Sequence, residues 1–174
     1  MAKKKNVALF GGSFNPPHIG HLEIVKRVAK RKSIDEVWIL PVWRHPFRKK
    51  LPGFSKRLRA CRHFFLPPLK VSLPCWIGQG VGTGGCYEKI KIKSHEKHAG
   101  ATGRTIDLLK YLTQKFPSCR FFWVMGSDTY KQRKRWKDFN GIKKMARLII
   151  FPRGPRSPIP NIASREMRKG TGVE

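Results

Sequence analysis

Residues 11–21 constrain the fold of this chain more than any other stretch. They read GGSFNPPHIGH and follow a short apolar run at residues 7–10. After them, apolar residues recur at helical spacing, namely at Ile19, Leu22, Val25, Val28 and Ala29. The order is therefore strand, glycine turn and helix, and we expect the helix to end near Lys32. Such a turn brings backbone N–H groups and the positive end of the helix dipole to one place, where a phosphate can bind.

Two histidines, His18 and His21, stand where that helix begins. Both imidazole rings could donate hydrogen bonds to phosphate oxygens. The glycines of the turn allow a ligand to approach the backbone closely, because they carry no Cβ atom. The stretch therefore predicts a phosphate site, and the alternative is an ordinary strand-to-helix connection with surface histidines.

A second strand is predicted at residues 36–42, where β-branched and aromatic residues form an apolar run. Strand, helix and strand at the start of the chain predict an α/β fold, a doubly wound Rossmann-like parallel sheet flanked by helices. Further strands are expected at residues 119–125 and 146–151, and a helix is expected from Thr105, with Thr105 as its N-cap. Ligands of such sheets bind beyond the carboxyl ends of the strands, where the glycine turn lies.

The length of 174 residues suits one domain, which we assign to residues 1–174. Residues 66–103 interrupt the pattern, because their prolines and glycines prevent a long helix and disfavour interior strands. A short strand could form at residues 71–73. We expect an irregular segment, explained either by a basic, glycine-rich insertion or by a local reading-frame error.

The net charge of +28 comes from 38 Lys and Arg against 10 Asp and Glu. Such a field attracts polyanions, including ATP, nucleic acid and anionic membrane surfaces, and it does not choose among them. No stretch approaches about 20 apolar residues, and no signal-peptide segment precedes the glycine turn, so we expect a cytoplasmic protein without a membrane span. The four cysteines form no CxxC pair and no familiar zinc spacing with His95 and His98, so reduced thiols are expected.

The string GGSFNPPHIGH resembles the HxGH signature of the nucleotidyltransferase superfamily, and it is most similar to bacterial nicotinate (nicotinamide) mononucleotide adenylyltransferases. The resemblance implies that His18 and His21 are catalytic. We expect His21 to face the transferring α-phosphate and His18 to support the phosphates beside it. The resemblance also implies that residues of the turn bind ATP phosphates, namely Gly11, Gly12, Ser13, Phe14 and Gly20.

Two further segments are similar to phosphate-binding parts of that family. Residues 44–50 resemble its Pro-(His/Phe)-(Lys/Arg) loop, whose cation reaches the triphosphate, and this implies such a role for Arg48 or Lys49. Residues 162–168 resemble its ISSTxIR motif and imply that Ser164 and Arg168 hold ATP phosphates, although the neighbouring positions depart from the motif. Residues 54–62 resemble an F-x-x-R-L-x-x-C segment, which a purely structural role also explains.

Two segments are similar to the family's pyridine-nucleotide site. The TIDLL sequence from Thr105 resembles its T-(I/L)-(D/E)-T-L segment, which implies that Thr105 lines the pyridine pocket. Gly126 and Asp128, followed by Trp136, resemble its G-x-D…W pattern, in which the aspartate contacts the mononucleotide and the tryptophan stacks on the ring. Helix capping by Asp128 and core packing of Trp136 are the structural alternatives. Arg104 could meet the carboxylate of a nicotinate ring.

The resemblance implies adenylyl transfer from ATP to nicotinate mononucleotide or nicotinamide mononucleotide, giving the dinucleotide and pyrophosphate in NAD biosynthesis. Mg²⁺ would bridge the triphosphate through water and phosphate oxygens rather than through a protein cage, so no metal ligands are assigned. We expect ATP and a pyridine mononucleotide as partners. The sequence does not address the oligomeric state.

Five alternatives remain open. A pantetheine-phosphate adenylyltransferase or a cytidylyltransferase would share the HxGH motif, and class I aminoacyl-tRNA synthetases share the HIGH spelling but need a longer chain. A basic nucleic-acid-binding module on the same fold would explain the charge. An inactive relative would explain the irregular middle segment.

Overall fold

The computed structural model describes most of the chain. Residues 71–73, where a strand is predicted, lie outside the described residues. The same holds for Arg48, Lys49 and Arg168, which are predicted to bind phosphate. The described residues are 3–46, 50–66, 87–100 and 102–154, together with Ser157, Ile159, Pro160 and Ser164.

Strands and helices alternate along the chain. In order they are β1 Lys5–Gly12, α1 Ile19–Ala29, β2 Glu36–Pro41, α2 Phe54–Phe65, β3 Ile90–Ile92, α3 His95–His98, α4 Thr105–Lys115, β4 Cys119–Gly126, α5 Ser127–Lys131, a 3₁₀ helix Arg133–Arg135, α6 Phe139–Met145 and β5 Ala146–Phe151. Within the described ranges, no helix has the length and apolar content that crossing a membrane requires.

The five strands form one parallel sheet in the order β3-β2-β1-β4-β5, which confirms the predicted doubly wound α/β fold. The chain moves outward from β1 through β2 to β3 and then returns to the other side of β1 for β4 and β5. The switch point therefore lies between β1 and β4, and ligands of such sheets bind at its carboxyl end. The glycine turn after β1 occupies that position.

Successive residues of β1 supply the two cores that lie on opposite faces of the sheet. Ala8 and Phe10 pack in one core with residues of α1 and α2, whereas Val7 and Leu9 pack in the other with residues of α4. Alternation follows from the two-residue period of a strand, and burial on both faces is typical of a central parallel strand. The apolar run at residues 7–10 therefore reflects cores on both sides.

Helix α1 ends at Ala29, earlier than the predicted end near Lys32. Two turns follow, in which Arg31 N–H donates to Val28 O (3.1 Å) and Ile34 N–H donates to Arg31 O (3.1 Å). They bury Ile34, which is only 1% exposed, in front of β2. Burial of this apolar side chain requires the chain to leave the helix.

Helix α4 begins at Thr105 as predicted, but Thr105 is its first helical residue and Arg104 is the N-cap. The capping prediction for Thr105 is therefore wrong. A neighbouring hydroxyl fixes this turn instead, since Thr102 Oγ1 accepts the Arg104 N–H (3.1 Å) and donates to Asp107 Oδ2 (2.7 Å). The side chain of Thr105 is thus left for other contacts.

The segment expected to be irregular, residues 66–103, contains regular structure in its described part. Strand β3 (Ile90–Ile92) pairs with β2 at the edge of the sheet, and α3 (His95–His98) follows it. Three residues are too few to give a periodic signal, so the sequence could not reveal this strand. The interpretation of the segment as a divergent insertion stays a prediction.

Gly103 fixes the approach of α4 to the loop after β2. Its φ is +68°, and a Cβ atom at this position would overlap the carbonyl oxygen of Arg44. A residue with a side chain would meet both a strained backbone and a backbone clash. Gly53, which precedes α2, has no atom near its Cβ direction and offers a matched control.

We expect Gly103→Ala to lower the free energy of unfolding by about 2 kcal/mol, because alanine is disfavoured at positive φ and the Arg44 loop must shift. Gly53→Ala should cost under about 1 kcal/mol. Urea unfolding of the two variants and the wild type measures both values. Equal losses in the two variants would contradict this account of Gly103.

Candidate active site

A cavity of about 760 Å³ opens at the carboxyl ends of β1 and β2. The glycine turn, the loop after β2, the start of α4 and the segment around the 3₁₀ helix surround it. Six residues predicted from the sequence to contact substrates line this one cavity. They are Gly11, Gly12, Ser13, Arg104, Thr105 and Trp136.

The glycine turn is shaped by two aromatic rings. A Cβ atom on Gly11 would lie 2.7 Å from Trp123 Cη2, and one on Gly12 would lie 3.1 Å from Phe14 Cζ. Phe14 itself has a φ of 45°, and its buried ring packs 5.0 Å from the ring of His21, centroid to centroid. The ring of Phe14 therefore holds the turn, and the contact that Phe14 can offer a phosphate comes from its backbone.

The two histidines are stacked at the start of α1. Their ring centroids are 3.6 Å apart, and the backbone N–H of His18 donates to Nδ1 of His21 (3.2 Å). Nδ1 of His21 must therefore be unprotonated, and the proton of the neutral ring lies on Nε2. Burial, together with the nearby His18 and Arg153, lowers the pKa of His21 to about 3. At neutral pH His21 is thus a neutral hydrogen-bond donor through Nε2–H.

The loop after β5 packs against the histidine site. Arg153 Nη1 donates to the carbonyl of Pro160 (3.0 Å), and a Cβ atom on Gly20 would lie 3.1 Å from that same carbonyl oxygen. Gly20 therefore allows the first turn of α1 to approach this loop. Ser164 Oγ donates to Pro16 O (2.9 Å), which joins the C-terminal segment to the turn before His18.

Arg153 is a residue of this site that the sequence analysis did not single out. Its backbone N–H donates to Ser127 Oγ (2.9 Å), and its charge is one cause of the low pKa of His21. The available signal was its position directly beyond β5, because carboxyl ends of parallel strands meet at one edge of a sheet. It brings a cation to the histidines.

Gly126 and Asp128 lie at the carboxyl end of β4. They are not among the described residues that line the cavity, and the side chain of Asp128 is exposed. A Cβ atom on Gly126 would overlap Oδ1 of Asp128, so this glycine makes room for the carboxylate. Their predicted contact with a mononucleotide stays a prediction.

Trp136 contributes both to the cavity and to the core. Its ring packs edge-to-face against Trp123 (6.3 Å between centroids) and Phe139 (6.0 Å), while the residue lines the cavity. The two interpretations of Trp136, ring stacking and core packing, are therefore compatible. Trp136 is thus packed against other aromatic rings while part of the residue stays accessible from the cavity.

Positive charge dominates the lining of the cavity. It carries the cations Arg104, Lys134, Arg135 and Lys137, and its one carboxyl group among the described lining residues is Glu96. Glu96 is only 5% exposed, and burial raises its pKa to about 7, although Trp43 N–H and Arg57 oppose the shift. The sequence analysis missed Glu96, because it lies in the segment expected to be irregular.

No metal cage is evident in the part of the chain that the structure describes, where no three His, Cys, Asp or Glu residues come together. The described cysteines Cys61 and Cys119 are free thiols. Cys75 and Cys86 lie outside the described residues.

The sequence model of the cytidylyltransferase-like family matches residues 9–170. The chain therefore belongs to the cytidylyltransferase-like family. A probable nicotinate-nucleotide adenylyltransferase of Myxococcus xanthus (strain DK1622) is 35% identical over 161 residues, which cover 92% of this chain and 75% of that protein. Another, from Anaeromyxobacter dehalogenans (strain 2CP-C), is 33% identical and covers 97% of this chain and 84% of that protein.

A solved structure has the same fold. The nicotinic acid mononucleotide adenylyltransferase of Plasmodium falciparum, complexed with NaAD, superposes with a TM-score of 0.70 at 21% identity, covering 95% of this chain and 83% of that one. The family match and the two bacterial relatives confirm the resemblance to nicotinate (nicotinamide) mononucleotide adenylyltransferases that the HxGH string predicts.

The pKa of Glu96 makes stability depend on pH in a defined direction. Because its folded pKa of about 7 lies above the ordinary value of 4.5, ionisation of Glu96 costs stability. This cost is absent below pH 4.5, grows as the pH rises toward 7 and is complete above it. Glu96→Gln cannot ionise, and it keeps an acceptor for Trp43 N–H.

We therefore compare the free energy of unfolding of Glu96→Gln with that of the wild type at about pH 5 and at about pH 8. The difference in favour of the variant should be larger at the higher pH by about 2–3 kcal/mol. Urea unfolding at both pH values measures the difference. Glu88→Gln removes an exposed carboxylate and serves as the control. The explanation fails if the two glutamine variants respond to pH in the same way.

Proposed function

We propose that the protein transfers the adenylyl group of ATP to nicotinate mononucleotide, which gives the dinucleotide and pyrophosphate. The observation that carries this proposal is the position of the glycine turn between two unlike sites. One is the neutral histidine pair with Arg153, and the other is the cationic cavity that contains Thr105 and Trp136. The names of the relatives agree with this reaction.

The ATP phosphates bind beside the histidine pair. Nε2–H of His21 donates to the α-phosphate, and the neutral ring does so without a proton transfer. Arg153 supplies positive charge next to it, and the turn offers the backbone of Gly12 and Ser13. The bond from Ser164 to Pro16 supports a place for the C-terminal segment near the triphosphate.

The mononucleotide binds in the cavity. A pyridine ring lies against Trp136, near the start of α4 at Thr105, where an indole face is a favourable partner for a flat and cationic ring. The ring carboxylate distinguishes nicotinate from nicotinamide. Arg104 and the other cations of the lining favour the carboxylate, and a Glu96 carboxyl group that is partly protonated at neutral pH opposes it little.

The chemistry needs positioning and charge neutralisation. The nucleophile is a 5′-phosphate that is already ionised at neutral pH, so no general base is required. It attacks the α-phosphorus in line, the bond to the β-phosphate oxygen breaks, and pyrophosphate leaves. Mg²⁺, bound as the magnesium complex of ATP, would neutralise charge on the triphosphate oxygens. The phosphate nucleophile and the α-phosphate meet at the glycine turn.

The alternatives from the sequence are weaker. A pantetheine-phosphate adenylyltransferase would share the histidine site, but it offers no explanation for Trp136 in a cationic cavity. Nucleic-acid binding rests on the overall charge of +28 and on aromatic residues interleaved with arginines, which do not by themselves define a binding site. Mg²⁺ and a cytoplasmic location stay predictions.

Pyrophosphate release tests the proposal directly. We expect release from ATP and Mg²⁺ when nicotinate mononucleotide is added, and a lower kcat/KM with nicotinamide mononucleotide. Pantetheine phosphate serves as the third acceptor. If folded protein releases no pyrophosphate with either pyridine mononucleotide, the proposed function is refuted. Release with pantetheine phosphate alone would assign a different acceptor.

His21→Ala should lower kcat by about 100- to 1,000-fold, because it removes a donor aimed at the charge that develops in the transition state. His63→Ala, on the exposed side of α2, is the control and should keep the wild-type rate. The nitrogen chemical shifts of His21 should also keep the pattern of the neutral Nε2–H ring from about pH 5.5 to about pH 8, since its pKa is about 3. Full turnover by His21→Ala would remove it from the mechanism.

A further inference from the structure

Arg57 of α2 is buried. Among the residues that the structure describes, no carboxylate forms an ion pair with it. The residue is only 3% exposed, and burial lowers the pKa of its guanidinium. A buried charge is costly unless its hydrogen bonds are satisfied. Each of the three guanidinium nitrogens donates to a backbone carbonyl of a different segment of the chain.

The three carbonyls lie around the substrate sites. Nη1 donates to Ser13 O (3.0 Å) in the glycine turn, and Nη2 donates to Val42 O (2.7 Å) directly after β2. Nε donates to Pro52 O (3.0 Å) before α2. Val42 and Pro52 are the two ends of the loop that connects β2 to α2. One side chain therefore closes the base of this loop and joins it to the glycine turn.

Other contacts fix the same junction. Val42 N–H donates to Gly12 O (2.9 Å), which links the two segments through the backbone. The next residue, Trp43, donates its N–H to the buried carboxyl of Glu96, and that carboxyl lies in the field of Arg57. Ser13 and Val42 both line the 760 Å³ cavity. The junction is thus a wall that the proposed ATP and mononucleotide sites share.

The geometry requires an arginine. Only a guanidinium presents donors in a rigid planar fork that can satisfy three separate carbonyls at once. A lysine keeps the charge, but its single ammonium group cannot reproduce the fork. The neighbouring Arg59 lies on the exposed side of the same helix. The three hydrogen bonds to Pro52, Ser13 and Val42 come from Arg57 and not from Arg59.

We propose that Arg57 is a positioning residue for adenylyl transfer: it holds the glycine turn and the loop after β2 in the register that brings the two substrates together. The inference rests on the proposed function and extends it to a residue that touches neither substrate. In the proposed function, ATP lies against the glycine turn, and the mononucleotide lies in the cavity that Val42 helps to line. Loss of Arg57 therefore disturbs the alignment of the two substrates more than the affinity for either one.

The test compares Arg57→Lys and Arg57→Met with Arg59→Lys and Arg59→Met. Rates are divided by the concentration of folded protein, so that a loss of stability alone changes neither kcat nor KM. We expect kcat of both Arg57 variants to fall by about 10- to 100-fold, with each KM within about threefold of the wild-type value. The Arg59 variants should match the wild type. If Arg57→Met does not fold, Arg57→Lys alone decides.

Hydrogen exchange provides a readout that needs no turnover. The Val42 amide, which is bonded to Gly12 O, should exchange at least about tenfold faster in Arg57→Lys than in Arg59→Lys, because the junction opens more often. The role of Arg57 is overturned if the wild type is active and Arg57→Lys has the same kcat, or the same Val42 exchange rate, as Arg59→Lys. That outcome leaves the proposed function intact. A wild type that releases no pyrophosphate refutes the proposed function, and the role falls with it.

Discussion

Parallel pairing of β1 with β2 on one side and β4 on the other is the constraint on which the rest of the structure depends. It brings the carboxyl ends of the central strands to one edge of the sheet, with Gly12 level with Pro41. Residues that are far apart in sequence then surround the glycine turn. Without this pairing, neither Trp136 nor Arg153 would lie near it.

Close packing makes the turn rigid. Trp123 lies beneath Gly11, and the ring of Phe14 fills the space beside Gly12 and contacts His21. This packing restricts the conformations that the backbone of the turn can adopt. Preorganisation of this kind matters for phosphoryl chemistry, in which the protein contributes position and charge rather than a covalent step.

The candidate site combines a neutral histidine with cationic surroundings. The chain has a net charge of +28, yet His21, the proposed hydrogen-bond donor to the α-phosphate, is neutral. A neutral donor keeps its proton on Nε2 over the physiological pH range, while Arg153 and the cations of the cavity supply the attraction for anions. Binding charge and hydrogen-bond donation are thus assigned to different residues.

The sequence by itself determined four of the five strands, the helices α1 and α4, the glycine turn and the histidine pair, because these are local patterns with strong periodicity or an uncommon motif. Tertiary structure alone decided the roles of Arg57, Glu96 and Arg153. Their functions depend on which distant carbonyl, amide or ring they meet, and a lone arginine or glutamate in a basic chain carries no such information. The same reason hides β3, whose three residues form a strand only because β2 offers a free edge.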